Sequence, residues 1–410
     1  MRHCKPLNIN LSDFLVGGRR KRTLRHRVRV VRFPAVQLQR KRFARVQAFT
    51  GMILVGFCKG LLPMSIEHEY RKSGGEIASK EAPSSNTIAT LAGRPLLSNS
   101  GIPLDLNWLH EVRVNTSAVE RRSQTQVARR TVKKEWQVAW LLRAITCMDL
   151  TTLSGDDTDE RVRRLCAKAR CPIQQDLAEK LGIEELGIKV GAVCVYHTFI
   201  ETALHALEGS GIPVAAVSTG FPAGLSPLAE RVAEIRRSVE AGAHEIDIVI
   251  TRAHVFGARW QALYDEVAAF KQACGRAHMK VILGTGDLLT FRNVARASFV
   301  AMMAGADFIK TSTGKESTNA TLPVSLVMVR AIREYAQQTG MAVGFKPAGG
   351  IRTAKQSIDW LAMMKEELGV PWTRAELFRF GASGLLGDIE RQLEHHATGR
   401  YSAEYRHPIA

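Results

Sequence analysis

The sequence predicts an α/β fold, a (β/α)8 TIM barrel, preceded by an N-terminal helical lead-in and a basic extension of low order. Two observations lead to this prediction. Eight short apolar runs alternate with amphipathic stretches from residue 144 onward, and their spacing over about 250 residues matches the size and order of such a barrel. A doubly wound open sheet is the alternative, but that fold usually has fewer repeats and an early G-x-G-x-x-G motif.

The apolar runs have the length of buried parallel strands. They cover residues 144–150, 189–196, 213–219, 245–250, 279–284, 307–312, 342–347 and 377–383. The stretches between them, such as DERVRRLCAKA and VARASFVAMMAG, close near Gly or Ala-Gly, as helix ends do. Residues 172–188 are a short insert in the first connection. Before the first run, ARRTVKKEWQVAWLLRA places Trp136, Trp140 and Leu141 on one face of a helix.

Charge divides the chain into two parts. Residues 1–100 hold 19 Lys/Arg against 5 Asp/Glu, although the whole chain of 410 residues carries only +18. The first 45 residues contain RRKRTLRHRVRVVR and QRKRFAR with Asp13 as the only acid, which suits nucleic acid, an anionic membrane surface or organelle import. We expect residues 1–102 to be a basic extension with a linker, and residues 103–405 to form the barrel domain, with the barrel proper at about 144–397.

Cysteine usage and hydropathy indicate the compartment in which the protein lies. The seven cysteines are odd in number and scattered, with no C-x-x-C pair and no histidine at ligand spacing. This pattern predicts a reduced, intracellular protein without a zinc site. The apolar window AFTGMILVGFC is shorter than the roughly 18 residues of a membrane span. We expect no membrane span and a cytoplasmic protein, with a signal anchor or organelle import through the basic N-terminus as the alternatives.

Two lysines end consecutive predicted strands, Lys310 in FIKTSTGK and Lys346 in GFKPAGGIR. Burial disfavours a charged ammonium, and two lysines that meet make each other harder to protonate. At about 5 Å and an effective dielectric of about 20, their repulsion is roughly 3 kcal/mol, or about two pKa units. A neutral amine at Lys310 can then attack a carbonyl to form a Schiff base. The alternative is that both lysines are solvated at the mouth of a loop.

Other unusual residues also lie at strand ends, where the reacting groups of these barrels gather. Asp149 lies at the end of the first predicted strand, Cys194 lies late in the second, and Asp247 lies between isoleucines in the fourth. Asp247 needs a cation to offset its desolvation, and Lys310 and Lys346 are the expected partners. It could also hold a water and pass protons, unless the ion pair serves only the fold. Cys194 is expected to be part of the wall.

A second group of residues predicts an anion site. After the last three strands come glycines with fixed cations, an arrangement that brings backbone N–H groups to one rim of the barrel, where phosphate sites lie after strands 7 and 8. The members are Gly314, Lys315, Gly349, Gly350, Arg352, Gly381 and Ser383. The substrate implied has a carbonyl at one end and a phosphate at the other.

These motifs together resemble one known family. FIKTSTGK, GFKPAGGIR, EIDIVI, MDLTTLSGDDT, AVCVY and FGAS are similar to motifs of the 2-deoxyribose-5-phosphate aldolases. The segment ARRTVKKEW and the long C-terminal run to HHATGRY resemble the animal-type members most closely. The resemblance covers roughly residues 104–405.

The resemblance implies a class I aldolase that reversibly cleaves 2-deoxy-D-ribose 5-phosphate to D-glyceraldehyde 3-phosphate and acetaldehyde, in deoxynucleoside breakdown, without metal or cofactor. Lys310 resembles the Schiff-base lysine, Lys346 the lysine that lowers its pKa, and Asp247 the proton-relay acid. Asp149 and Thr313 resemble polar groups that support the site. The anion-binding set resembles the phosphate cradle of the family.

Two positions depart from the family pattern, and two other functions stay open. His197 stands where members usually have Pro, and Gly384 replaces a usual Ser or Thr. Another Schiff-base phosphosugar aldolase would use the same lysines. Alternatively, the chain is chiefly a nucleic-acid or membrane-surface binder through residues 1–45. A homo-oligomer is compatible with the sequence.

Overall fold

The computed structural model describes residues 90–91, 94–95, 98–129 and 131–409, and it confirms the predicted barrel. The barrel strands are β1 (Met148–Thr151), β2 (Ala192–Tyr196), β3 (Val214–Val217), β4 (Glu245–Val249), β5 (His278–Ile282), β6 (Phe308–Lys310), β7 (Gly344–Lys346) and β8 (Phe380–Gly381). They pair in parallel in the order β8-β1-β2-β3-β4-β5-β6-β7. Two isolated bridges, Phe345 with Phe378 and Ala348 with Gly381, join the two ends of this order and close the ring.

Helices surround the strands and also precede them. Before β1 lie α1 (Leu106–Glu111), α2 (Thr116–Arg129) and α3 (Lys134–Thr146). After successive strands come α4 (Asp159–Arg170) with α5 (Gln175–Leu181), α6 (Ile200–Ala206), α7 (Leu228–Glu240), α8 (Arg252–Phe256) with α9 (Trp260–Cys274), α10 (Phe291–Met303), α11 (Leu322–Thr339), α12 (Ala354–Leu368) and α13 (Gly384–Thr398). The predicted insert at 172–188 contains α5 and the short turn Glu184–Leu186 in the first connection.

Threonine side chains start four of these helices, α4, α10, α11 and α12. Each hydroxyl accepts a hydrogen bond from a first-turn N–H group that has no partner inside the helix. At α12 the cap is a capping box, because Gln356 also accepts from the backbone of the capping threonine. The caps fix where the loops leaving β1, β5, β6 and β7 end, and those loops form the functional rim. The four capping residues are Thr158, Thr290, Thr321 and Thr353.

Side chains alternate between two environments along each strand. On β4, Ile246 and Ile248 are fully buried in the main core, while Glu245 and Asp247 take the other face, inside the barrel. Burying each isoleucine stabilises the fold by about 1.5–3 kcal/mol. This outer apolar layer offsets the cost of placing charged side chains inside the ring.

The segments before β1 pack against the outside of the barrel. Asn99 is buried, and its side-chain amide donates to the backbone oxygens of Met302 and Ala306, so contacts with the barrel already include residues before the predicted boundary at 103. Helix α3 buries Leu141, whereas Trp136 is 50% exposed, so these two residues do not share one environment as their spacing suggested.

Several predictions concern residues outside the described ranges. The basic runs at 1–45, the AFTGMILVGFC window and the linker up to residue 89 lie there, and the predictions made for them stay predictions. Within the described ranges, no helix has both the length and the apolar character needed to cross a membrane. The described cysteines form no disulfide; they are Cys147, Cys166, Cys171, Cys194 and Cys274.

Candidate active site

Charged side chains are buried together inside the ring of strands. We call them the interior charge cluster; its members are Asp149, Glu245, Asp247, Lys280, Lys310, Lys346 and Arg379, and none is more than 3% exposed. The strand register places Asp247 beside Lys280 and Lys310 beside Lys346. Burying such charges is costly unless they pair with one another. The stability of the barrel therefore depends on the pairing within this cluster.

Asp247 lies at the centre of the cluster and contacts both of the lysines that were expected as its partners. Its Oδ2 atom lies 2.8 Å from the Nζ atoms of both Lys310 and Lys346, and its Oδ1 atom lies 3.1 Å from Nζ of Lys280. Burial would raise the pKa of Asp247, but the three ammonium groups outweigh burial and hold that pKa well below its usual range. Asp247 is therefore an ionised carboxylate in contact with both predicted lysines.

The pKa values of the two lysines shift in opposite directions because their surroundings differ. Burial lowers the pKa of Lys310, and the nearby Lys346 adds to this effect, so that together they outweigh the attraction of Asp247. Lys346 is also fully buried, but Asp149 lies 2.6 Å from it in addition to Asp247, and these carboxylates raise its pKa. The repulsion expected between the two lysines is mutual, but at Lys346 the two carboxylates outweigh the effects that lower its pKa, so that this pKa rises overall. Asp149 is the physical reason.

The cluster also contains three charged residues that the sequence reasoning missed. Arg379 lies 2.6 Å from Asp149 and 2.8 Å from Glu245, and Lys280 pairs with both Glu245 and Asp247. The signal for them was present, because each is a charged residue in an otherwise apolar strand pattern, as Asp247 is. Their position behind the predicted lysines makes them partners that hold Asp149 and Asp247 in place.

Cys194 belongs to the wall of the site, as expected. It is fully buried on β2 and packs with Leu153 and Val217, next to the edge-to-face pair of Tyr196 and Phe221. Burial and the neighbouring Asp247 raise the pKa of the Cys194 thiol to about 11, so it is protonated near neutral pH. This wall supplies the apolar side of the site.

A cavity of about 300 Å³ extends from Lys310 to the rim of the barrel. Lys310 lies in its lining, together with the ends of the loops after β1, β6, β7 and β8. A second cavity of about 270 Å³ follows the loops after β7 and β8. The two cavities between them bring together every residue of the predicted anion site, namely Gly314, Lys315, Gly349, Gly350, Arg352, Gly381 and Ser383.

The rim offers backbone and a helix end to an anion. Gly349 has φ +77° and a Cβ there would lie 2.7 Å from the side chain of Asn319, so this position needs glycine. The N-terminus of α13 lies at the same rim and adds partial positive charge. The hydroxyl of Ser383 is already used, since it donates to the carbonyl of Thr151 and accepts from its N–H group. A Cβ at Gly384 would meet open space.

The loop after β6 differs from the expectation in one respect. The N–H group of Gly314 and both the N–H and hydroxyl groups of Thr313 donate to the carboxylate of Glu316. Gly314 was expected to offer its N–H group to an anion, but that group already has a carboxylate partner. Thr313 holds this loop through its hydrogen bonds to Glu316, and its expected role in supporting the site stays a prediction.

His197 begins the short turn that follows β2. Its Nδ1 atom lies 3.6 Å from Glu234, and the other carboxylate oxygen of Glu234 accepts from the N–H group of Gly220. The loop with His197 is therefore linked to the loop after β3, which carries Phe221 in the apolar wall.

Comparison with known proteins identifies the family. A family model described as DeoC/LacD family aldolase matches residues 143–377. The chain belongs to this aldolase family. The aldolase is 58% identical over 312 residues to deoxyribose-phosphate aldolase from Mus musculus, which covers 76% of this chain and 98% of the relative. It is 57% identical over 314 residues to the enzyme of the same name from Homo sapiens, covering 76% and 99%.

Solved structures agree with this aldolase in fold. A crystal structure from Toxoplasma gondii ME49, described as a candidate deoxyribose-phosphate aldolase, has a TM-score of 0.54 at 22% identity and covers 66% of this chain and 98% of that chain. The mammalian relatives confirm the animal-type resemblance. Within the described part of this aldolase, no group of three or more His, Cys, Asp or Glu residues is placed to hold a metal ion.

Proposed function

We propose that this aldolase reversibly cleaves 2-deoxy-D-ribose 5-phosphate to D-glyceraldehyde 3-phosphate and acetaldehyde through a Schiff base on Lys310. One observation carries the proposal: Lys310 and Lys346 contact the same oxygen of Asp247, and Asp149 adds a second carboxylate to Lys346 alone. The names of the mouse and human relatives support the substrate.

The lower pKa of Lys310 selects it as the nucleophile. In the cleavage direction its neutral amine attacks the aldehyde carbon C1 of the open-chain sugar to give a carbinolamine, whose hydroxyl takes one proton from solvent and leaves as water, so that a protonated imine remains. A base removes the proton of the C3 hydroxyl, the C2–C3 bond breaks, and its electron pair forms an enamine. D-glyceraldehyde 3-phosphate leaves. The enamine gains a proton at C2, and water hydrolyses the acetaldehyde imine to free Lys310.

Asp247 and Lys346 act on this nitrogen in opposite ways. Asp247 is ionised and lies 2.8 Å from Nζ of Lys310, so we assign to it the stabilisation of the protonated imine and the transfer of protons and water at that nitrogen. Lys346 stays charged and repels a second positive charge on the amine. Asp149 keeps Lys346 charged and is a positioning residue.

The phosphate of the substrate is proposed to bind at the rim. Arg352 and Lys315 supply fixed positive charge, and the backbone of Gly349 and Gly350 with the start of α13 supplies N–H groups. Binding at the rim would direct the aldehyde end of the sugar along the cavity toward Lys310, which lies in the lining of the same cavity. Phosphate binding thus positions the carbonyl for attack.

Reductive trapping tests the Schiff base. Borohydride added with acetaldehyde or substrate should fix a covalent adduct on the peptide that contains Lys310, and Lys310→Met should neither trap nor turn over. Lys315→Met is the matched control, because it leaves Lys310 intact and should still trap acetaldehyde. An adduct on Lys346 in the wild-type enzyme would reverse the two roles.

A substrate panel tests the sugar. A site built for deoxyribose phosphate should reject 2-hydroxylated analogues, so ribose 5-phosphate should be cleaved far more slowly than 2-deoxyribose 5-phosphate. Faster cleavage of a hydroxylated phosphosugar would favour a different Schiff-base aldolase.

We also propose that the enzyme acts in the cytoplasm, in the breakdown of deoxyribose phosphate from deoxynucleosides. The scattered cysteines of the sequence, which contain no C-x-x-C pair, support a reducing compartment. Deletion of residues 1–89 should leave the aldolase rate unchanged. RNA binding with steep salt dependence, lost on that deletion, would instead support a nucleic-acid role for the basic extension.

A further inference from the structure

We infer that Glu316 is a positioning residue for phosphate, because it closes the loop after β6 and so fixes Lys315 at the mouth of the cavity. The inference rests on the proposed function, since it takes the phosphate of the substrate as the group that the loop meets. Glu316 is not among the residues that the sequence pattern assigned to the site.

The carboxylate of Glu316 holds the loop through several hydrogen bonds. Its Oε2 atom accepts from the N–H group of Thr313 at 3.0 Å, from the hydroxyl of Thr313 at 2.7 Å and from the N–H group of Gly314 at 3.1 Å. Its Oε1 atom also accepts from the N–H group of Thr313, at 3.1 Å. Hydrogen bonds to an ionised acceptor are about twice as strong as neutral ones. One side chain therefore closes a four-residue turn.

The same turn also holds the backbone of Lys315 in place. The N–H group of Lys315 donates to the hydroxyl oxygen of Thr313 at 3.1 Å, and this is the hydroxyl that donates to Glu316. Gly314 has φ +89°, a conformation that the turn requires and that glycine adopts without strain. The residues on both sides of Lys315, Gly314 and Glu316, thus belong to the hydrogen-bonded turn, and so does the N–H group of Lys315 itself.

Glu316 lies outside the cavity whose entrance it shapes. Thr313, Gly314 and Lys315 line the cavity that contains Lys310, but Glu316 does not. The N–H groups of Thr313 and Gly314 point to Glu316, so the loop offers an incoming phosphate the Lys315 side chain instead of a backbone anion site. The three donor groups spread the negative charge of Glu316, which limits its repulsion of the phosphate.

Glu316 is also tied to the other half of the rim. The side-chain amide of Asn319 donates to the carbonyl of Glu316 at 2.9 Å. Asn319 packs so closely on Gly349 that a Cβ on this glycine would lie 2.7 Å from it. A change at Glu316 therefore disturbs the loop after β6 and the glycine turn after β7 together, and both belong to the proposed phosphate site.

Steady-state kinetics with two substrates tests this role. Glu316→Gln keeps the size of the side chain but loses the charge and places an amide donor against N–H groups. We expect KM for 2-deoxyribose 5-phosphate to rise about tenfold, the scale of a charge-assisted hydrogen bond, with kcat within about twofold. With unphosphorylated 2-deoxyribose, kcat/KM should stay unchanged. Glu316→Asp should restore part of the affinity.

The controls separate a positioning role from a structural one. Glu240→Gln, the same substitution at an exposed position on α7, should leave kcat and KM unchanged for both substrates. Thermal unfolding of Glu316→Gln should match the wild type, because the loop is at the surface. An equal loss of kcat/KM for both substrates, or an unchanged KM for the phosphorylated one, would overturn the inference.

Phosphate binding separates this inference from the proposed function. Calorimetry with inorganic phosphate should show weaker binding to Glu316→Gln than to the wild type, whatever sugar the enzyme cleaves. If the wild type neither traps acetaldehyde nor cleaves the substrate, the proposed function fails. If the wild type does both and the variant binds phosphate normally, only the role of Glu316 fails.

Discussion

Lys310 and Lys346 each donate to the same oxygen of Asp247 at 2.8 Å, yet their pKa values shift in opposite directions. The difference comes from Asp149, which lies 2.6 Å from Lys346. One shared carboxylate oxygen brings the two amines together, and the carboxylate of Asp149 raises the pKa of Lys346. This arrangement supports the separate roles proposed for the neighbouring lysines on β6 and β7.

Replacing Lys346 with Met should raise the pKa of Lys310. The substitution removes the charge that repels a proton on Lys310 and leaves Asp247 to attract it. We expect kcat/KM near pH 7 to fall about a hundredfold, the effect of about two pKa units, and the loss to shrink as the pH rises. A pH–rate profile of both proteins checks this. A loss that is the same at every pH would contradict it.

Replacing Asp149 with Asn should make Lys346 reactive. Lys346 then keeps only Asp247 as an anionic partner, so its pKa falls and part of it becomes neutral. Borohydride trapping with acetaldehyde, followed by peptide mass spectrometry, should show an adduct on Lys346 in addition to that on Lys310. Asp265→Asn, on the exposed face of α9, is the control and should label Lys310 alone. Labelling of Lys310 alone in Asp149→Asn would show that Asp149 does not separate the lysines.

We expect substitution of Arg379 to lower the stability of the protein and substitution of Arg352 to raise KM. Arg379→Met leaves Asp149 and Glu245 without their shared cation, and such a loss inside a protein costs about 3–5 kcal/mol. Arg352→Met changes an exposed residue of the proposed phosphate site, so KM should rise about tenfold or more with unaltered stability. Urea unfolding and steady-state kinetics of both variants separate these effects. A stable Arg379→Met enzyme would remove the structural role.

The barrel should lose stability in acid below about pH 4. The pKa values of Asp149, Glu245 and Asp247 are lowered in the folded protein, despite burial, by the lysines and the arginine around them. The unfolded chain therefore binds more protons near the ordinary carboxyl pKa. The stabilisation is present above that pKa and is lost as the pH falls toward the lowered folded values. Urea unfolding at several pH values should show stability rising between about pH 3 and 5.

Part of the site could be predicted because buried strands follow a simple alternation. A charged residue in an apolar strand indicates a partner, and this led from Asp247 to Lys310 and Lys346. Lys280 and Arg379 are also charged residues in apolar strands, but their partners could not be identified from sequence alone. The pattern does not tell which side chains meet inside the ring of strands. The assignment of Asp149 to Lys346 depends on the closure of the barrel, which brings β1 next to β8.

Loop geometry is the part that the sequence could not give. Glycines and basic residues after the last three strands indicated an anion site, and the two rim cavities bring those residues together. The direction of each N–H group depends on side chains such as Glu316 and the hydroxyl of Ser383. Loops have no periodicity from which these partners could be read.

The interior charge cluster is electroneutral only when Lys310 has lost its proton. In that state three carboxylates balance three cations, namely Asp149, Glu245 and Asp247 against Lys280, Lys346 and Arg379. A protonated Lys310 adds one unbalanced positive charge. A further unbalanced charge in this cluster would therefore change the pKa of Lys310, even if that charge is on a distant strand. Removing a carboxylate together with its cation, as in a Glu245→Gln and Lys280→Met double variant, should disturb the reaction less than either change alone.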